Sequence, residues 1–138
     1  MKKKICFIIL VCVILPLFAN HADAGFTQAS DWAVPELKIA DTYGLIPESI
    51  QDDMSKAITR KEFAEVCVRL YELTTNTTAG SAPVNTFSDT QHIDVLKAFQ
   101  LGIVTGIGEG KFGPDLTTNR EQIATMLKRL LHAITPVM

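Results

Sequence analysis

Thr59-Arg60-Lys61-Glu62-Phe63-Ala64-Glu65-Val66-Cys67-Val68-Arg69-Leu70-Tyr71 and Asn119-Arg120-Glu121-Gln122-Ile123-Ala124-Thr125-Met126-Leu127-Lys128-Arg129-Leu130-Leu131 lie 60 residues apart and read as one helix written twice. Arg60, Ala64, Arg69 and Leu70 fall on Arg120, Ala124, Arg129 and Leu130, and the apolar positions between them coincide. Spacings of three and four place those apolar residues on a single helical face. An internal repeat dictates architecture, so this one sets the fold.

Each helix also opens alike. Thr59-Arg60-Lys61-Glu62 fits a capping box, in which the threonine hydroxyl and the glutamate satisfy each other's backbone donors. Asn119-Arg120-Glu121-Gln122 repeats it with an amide pair. Upstream, Ala40 and Gly44 match Ala98 and Gly102 at a shift of 58, so the intervening loops differ by two residues. The pattern predicts helices at about Asp31 to Tyr43 and Gln91 to Leu101. Each ends at a glycine suited to a left-handed terminal residue, with Leu45 or Ile103 placed to bury the contact of a Schellman turn. The resulting expectation is an all-α fold of two helix-loop-helix repeats on a shared core.

Outward from the repeats, the N-terminus has another character. Lys2, Lys3 and Lys4 precede an apolar run from Ile5 to Phe18 that exits at Ala22-Asp23-Ala24, the order of a cleavable secretory signal. The run falls short of the roughly 20 residues that cross a bilayer, and Pro16 interrupts it. No second hydrophobic span follows, so no membrane segment is expected in the mature form. Leu10-Val11 lacks the small residue that a lipobox sets before its cysteine, which argues against Cys12 as a lipidation site.

Removing residues 1–24 takes away three lysines and one aspartate, so 13 basic and 15 acidic side chains become 10 and 14, a net charge of −4. Nucleic-acid binding needs clustered Lys and Arg, and none is evident. Cys67 is the single cysteine left, which excludes a disulfide framework and reads as a core residue. His92 and His132 lie far apart, so no metal ligand set is visible and no cofactor is expected. Asp52, Asp53 and Glu62 supply carboxylates without an evident partner, and no catalytic role is expected of them. Gly106, Gly108 and Gly110 follow no strand and precede no Lys-Ser/Thr pair, so they read as a tight turn rather than a nucleotide loop. Arg69 and Arg129, half a turn out of phase with Arg60 and Arg120, read as solvated. The division is then 1–24 signal, 25–73 first repeat, 74–86 linker and 87–134 second repeat. Residues 74–83 are small, polar and without apolar period, the composition of a flexible connector.

The motifs now carry a resemblance. Phe87-Ser88-Asp89, Val95 to Gly106, Gly110-Lys111-Phe112-Gly113-Pro114-Asp115 and Asn119 to Ala124 resemble one complete repeat of the S-layer homology (SLH) family. Ser30-Asp31-Trp32-Ala33, Gly44-Leu45-Ile46 and Ile58 to Ala64 resemble a second. The resemblance implies a helical, exported module that holds to the cell wall or S-layer through a secondary cell-wall polysaccharide, often a pyruvylated one. It also implies that grooves between repeats are lined by residues matching Asp31, Trp32, Thr59 and Arg60 in the first copy. In the second these are Asp89, Gly106, Gly110, Asn119 and Arg120. Thr90 stands where the first copy has Trp32, and Pro47 to Lys56 replace the glycine-Phe-Pro loop of the second. The family commonly carries three repeats, so two copies imply self-association or packing with another SLH protein, which makes an assembly subunit the alternative function.

The chemistry of these residues leaves choices open. A tryptophan gives sugar rings a flat apolar platform, but equally anchors a helix start. An arginine in a first helical turn can bind a carboxylate through its planar fork beside free backbone N–H groups, or pair with a neighbouring repeat. Export is directly testable: mass spectrometry of the secreted form should find Gly25 at the N-terminus, and an intact Met1 in the envelope fraction would overturn the cleavage.

Overall fold

The computed structural model describes residues 25–135, so the expected signal segment 1–24 lies outside the described residues. Four α-helices follow in order: α1 (Val34–Thr42), α2 (Arg60–Thr75), α3 (Ile93–Gln100) and α4 (Arg120–Ile134), with a 3-10 turn at Glu48–Ile50. Among the described residues there is no strand, only isolated bridges at Thr59–Thr117 and Gly108–Lys111. The chain is all-α.

Helix boundaries follow from local chemistry. Thr59 accepts from the Glu62 N–H while Glu62 takes the Thr59 N–H at 2.7 Å, and Asn119 and Gln122 make the same exchange. Both expected capping boxes are therefore present. At the far ends of α1 and α3, Gly44 and Gly102 adopt φ of +68° and +72°, open to glycine at no steric cost. Leu45 N–H donates to the Ala40 carbonyl at 3.0 Å and Ile103 N–H to Ala98 at 2.9 Å, while each glycine N–H reaches back three residues. These are Schellman turns, and Ile103 and Ala98 are fully buried where the motif wants its apolar contact.

Packing is less symmetrical than the repeat suggests. α2 lies against both α3 and α4. The core comprises Ala64, Cys67 and Val68 of α2, Val95, Leu96 and Ala98 of α3, Met126 and Leu130 of α4, with Phe87, Ile103, Val104 and Phe112 from loops. α1 contributes no buried side chain, and Trp32, Ile39 and Tyr43 on it or beside it are exposed. The shared core thus draws on three helices rather than four. The segment ahead of α2 is fastened by polar contacts instead: Arg69 Nη1 donates to the Gly44 carbonyl at 3.0 Å in an exposed hydrogen bond, so this surface arginine has a partner that its phase on the helix did not suggest. Glu65, 5% exposed, accepts from Ser49 Oγ at 2.5 Å and lies 3.2 Å from His92 Nε2. That carboxylate, buried but twice partnered, ties the 3-10 turn to the start of α3.

The polar stretch after α2 is packed along the core, in contrast to the flexible connector its composition suggests. Asn76 ends α2 in a left-handed conformation, and Ala79 and Ala82 are buried. Ala82 N–H donates to the Leu96 carbonyl, and Ala79 N–H to Glu72, which Lys97 also binds at 2.9 Å. Two alanines too small to show an apolar period hold the segment down. Cys67 is 1% exposed and burial pushes its thiol up to about 12, so it is the core residue expected.

Leu96→Ala should cost about 2–5 kcal/mol by removing fully buried methyl groups, whereas Ile39→Ala on α1 should stay within about 0.5 kcal/mol. Urea denaturation of the two variants checks the asymmetry.

Candidate functional site

The connection from α3 to α4 turns back on itself over residues 104–112, and its geometry makes a cavity. Ile107 N–H donates to the Lys111 carbonyl at 2.8 Å and Lys111 N–H to Gly108 at 2.9 Å. At Gly106 a β-carbon would come within 2.7 Å of the Lys111 carbonyl oxygen, so only glycine lets the two limbs approach. Gly110, at φ +69°, belongs to the turn itself, and its carbonyl accepts from Ser88 N–H. Phe87 closes the underside, edge-on to Phe99 at 5.1 Å and tilted against Phe112 at 5.4 Å.

Two charged side chains hold this loop from opposite sides. Asp89 accepts the N–H groups of Phe112 and Gly113, both at 2.8 Å. Burial disfavours its charge, but those donors, with Lys111 nearby, outweigh it and hold the carboxyl below its ordinary value. Arg60, 8% exposed, donates Nε to the Phe112 carbonyl at 3.0 Å and Nη2 to the Thr105 carbonyl at 2.9 Å. Its guanidinium carbon sits 4.7 Å from the centre of the Phe112 ring. Burial lowers its pKa, and the Asp89 charge partly offsets that.

Between this loop and one face of α4 lies a cavity of about 370 Å³ lined by Arg60, Val104, Thr105, Gly106, Ile107, Asn119, Glu121, Gln122, Thr125, Met126 and Arg129. Three of the sequence-expected residues, Arg60, Gly106 and Asn119, meet here. Asp89 and Gly110 shape the loop without lining the cavity. Thr59 is engaged in its capping box. Arg120 is exposed and outside the lining, as are Asp31 and Trp32, the latter 82% exposed. The free first-turn donors imagined beside Arg60 are in fact used: Arg60 N–H goes to the Leu116 carbonyl at 2.8 Å and Lys61 N–H to Pro114 at 3.0 Å.

Arg129, expected to be solvated, borders the cavity. Its signal lay in the spacing from Asn119, Gln122 and Met126, which share its face of α4, rather than in its phase to Arg120. The carboxylates Asp52, Asp53 and Glu62 border a separate cavity of about 200 Å³ beside the 3-10 turn. There Ser55 hydrogen-bonds lower the pKa of Asp53, and Glu62 is committed to its cap.

Residues 86–124 match the model of the S-layer homology domain. Over 125 residues, 85% of this chain, the sequence is 28% identical to an endoglucanase of Bacillus sp. (strain KSM-635), of which it spans 13%. No solved structure matches the chain. The matched segment runs from just before Phe87 into α4 and so contains Asp89, the cavity-forming loop, Asn119 and Arg120.

Because the folded-state pKa of Asp89 is depressed, its contribution to stability is present above the unfolded carboxyl value of about 3.9 and lost as pH falls through the folded value. Asp89→Asn should therefore be less stable than wild type at pH 7, with the gap closing below about pH 3.9. Thermal melts of both proteins across that range check it, and a pH-independent gap would show that the carboxylate charge is irrelevant to the loop.

Proposed function

We propose, with the S-layer homology match of residues 86–124 as premise, that this chain is a non-catalytic module that attaches to an acidic secondary polysaccharide of the cell wall. The observation that carries the reading is the cavity walled by the loop of the matched segment and rimmed by hydrogen-bonding side chains and two arginines. Glycans are bound by preorganised polar groups around a shaped recess, and this volume lies within the range of small-ligand sites. The cavity supplies Asn119, Gln122 and Thr125 for hydroxyls, Met126 and Ile107 for apolar ring faces, and a net positive rim for an acidic substituent. Residues 25–73 and 87–134 are read as two diverged SLH copies of an exported, wall-associated protein. Asp31 and Trp32, exposed on the first copy, would offer a further sugar platform apart from the cavity.

A second reading rests on a separate observation. Trp32, Ile39 and Tyr43 are exposed at and beside α1, and Leu127 and Leu131 are exposed on α4. Apolar side chains at helical spacing that lack a partner among the described residues fit an assembly subunit, packed with a second copy or another SLH protein. Light scattering on the mature chain reads this directly, since assembly requires a mass above the monomer or capture of an SLH partner.

Wall attachment should appear as co-sedimentation of the mature chain with purified sacculi and drop to background on sacculi stripped of their secondary polymer. Equal retention on stripped sacculi would remove the polysaccharide from the reading.

A further inference from the structure

We infer that Arg129, rather than Arg60 or Arg120, supplies the cation that engages the anionic group of the ligand, and that Arg60 is a positioning residue for the loop. The inference rests on the wall-binding reading above but concerns which side chain does the work. Three arginines compete for the role. Arg60 is buried, and its guanidinium is already spent on the Thr105 and Phe112 carbonyls and the face of the Phe112 ring. Moving it toward a ligand would leave two carbonyls unpaired, which costs more than one new contact returns. Arg120 is exposed and does not line the cavity. Arg129 lines the cavity, is half-buried, and has no hydrogen bond or ion pair to any described residue.

Placement on the helix strengthens the case. Asn119, Gln122, Met126 and Arg129 recur at three- and four-residue steps, so one face of α4 presents two amides, an apolar patch and a cation along the cavity wall. Arg129 lies five residues past the end of the S-layer homology match, so the match itself assigns it nothing. A partly buried guanidinium with an unspent fork is suited to a carboxylate or phosphate oxygen pair, and reduced hydration strengthens the contact. Glu121, on the same helix, also lines the cavity. Two arginines against one carboxylate leave a single net positive charge, which suits one anionic substituent and disfavours a run of them, while Glu121 can accept from a sugar hydroxyl.

The test uses the mature chain with Arg129→Gln, Arg129→Lys, Arg120→Gln and Arg60→Gln, read by sacculus binding and melting temperature. Arg129→Gln should lose affinity about tenfold or more with a melting temperature within about 3 °C of wild type. Arg129→Lys should recover only part of it, because the charge returns without the fork. Arg120→Gln should bind within about twofold of wild type, as expected for a solvated charge. Arg60→Gln should instead lower the melting temperature. In parallel, pyruvate and inorganic phosphate are titrated while the Arg129 Nε–H resonance is followed by NMR. A saturable shift with pyruvate assigns a carboxylate, and one with phosphate assigns a phosphate. That shift with no wild-type binding to sacculi would keep the inference and sink the wall reading. Wild-type affinity in Arg129→Gln, or a silent Arg129 resonance with both anions, would overturn the inference itself.

Discussion

The peptide unit between Phe112 and Gly113 is gripped at both ends. Its carbonyl accepts from Arg60 Nε and its N–H donates to Asp89, so a cation from α2 and an anion from the segment before α3 polarise one amide in the same sense. Neither side chain satisfies the other directly; the loop lies between them and completes the pair. The Phe112 ring, fully buried, sits under the guanidinium and against Phe87, which joins this polar clamp to the hydrophobic core. With the clamp closed, the limbs from Thr105 to Lys111 are fixed, and so is one wall of the cavity over α4. The shape of the recess therefore depends on a contact between residues 52 positions apart, made by a helix that is itself outside the matched domain segment.

Much of the fold could be read in the sequence because it is locally determined. Capping boxes at Thr59 and Asn119 and glycine-ended helices at Gly44 and Gly102 are decided by residues within one or two turns, and all four occur where the motifs placed them. What the sequence concealed is tertiary. Arg60 and Arg120 share a motif and a helical position, yet one is enclosed by the loop at 104–116 and the other faces outward, a difference no one-dimensional pattern carries. Ala79 and Ala82 pack tightly because they are small, which is also why they leave no periodic signal. Arg129 is half a turn out of phase with Arg120, yet it lines the cavity because it shares a face with Asn119, Gln122 and Met126. α1 has an apolar composition suited to a core, but the three helices after it fill that core without it.

The start of α2 shows how repetition and specialisation coexist. A helix N-terminus is an attractive place for an anion because its first N–H groups lack partners. Here the carbonyls of Leu116 and Pro114 take those of Arg60 and Lys61, and Thr118 N–H donates to the Ile58 carbonyl, so the entry to α4 runs antiparallel beside the entry to α2. The electropositive end of α2 is thereby turned to structural use, fastening the two helix starts together. Along the side of α4, by contrast, side chains line the recess.

Cys67 belongs to α2 at the point where that helix meets the rest of the core. A thiol pushed up to about 12 and 1% exposed holds almost no thiolate at neutral pH, and the thiolate is the reacting species. In an oxidising compartment such a residue neither cross-links chains nor takes up oxidants while the helices stay packed. Its modification is then limited by how often the core opens, so the rate at which a small alkylating reagent captures Cys67 is a built-in clock for opening of the very helices that carry the clamp.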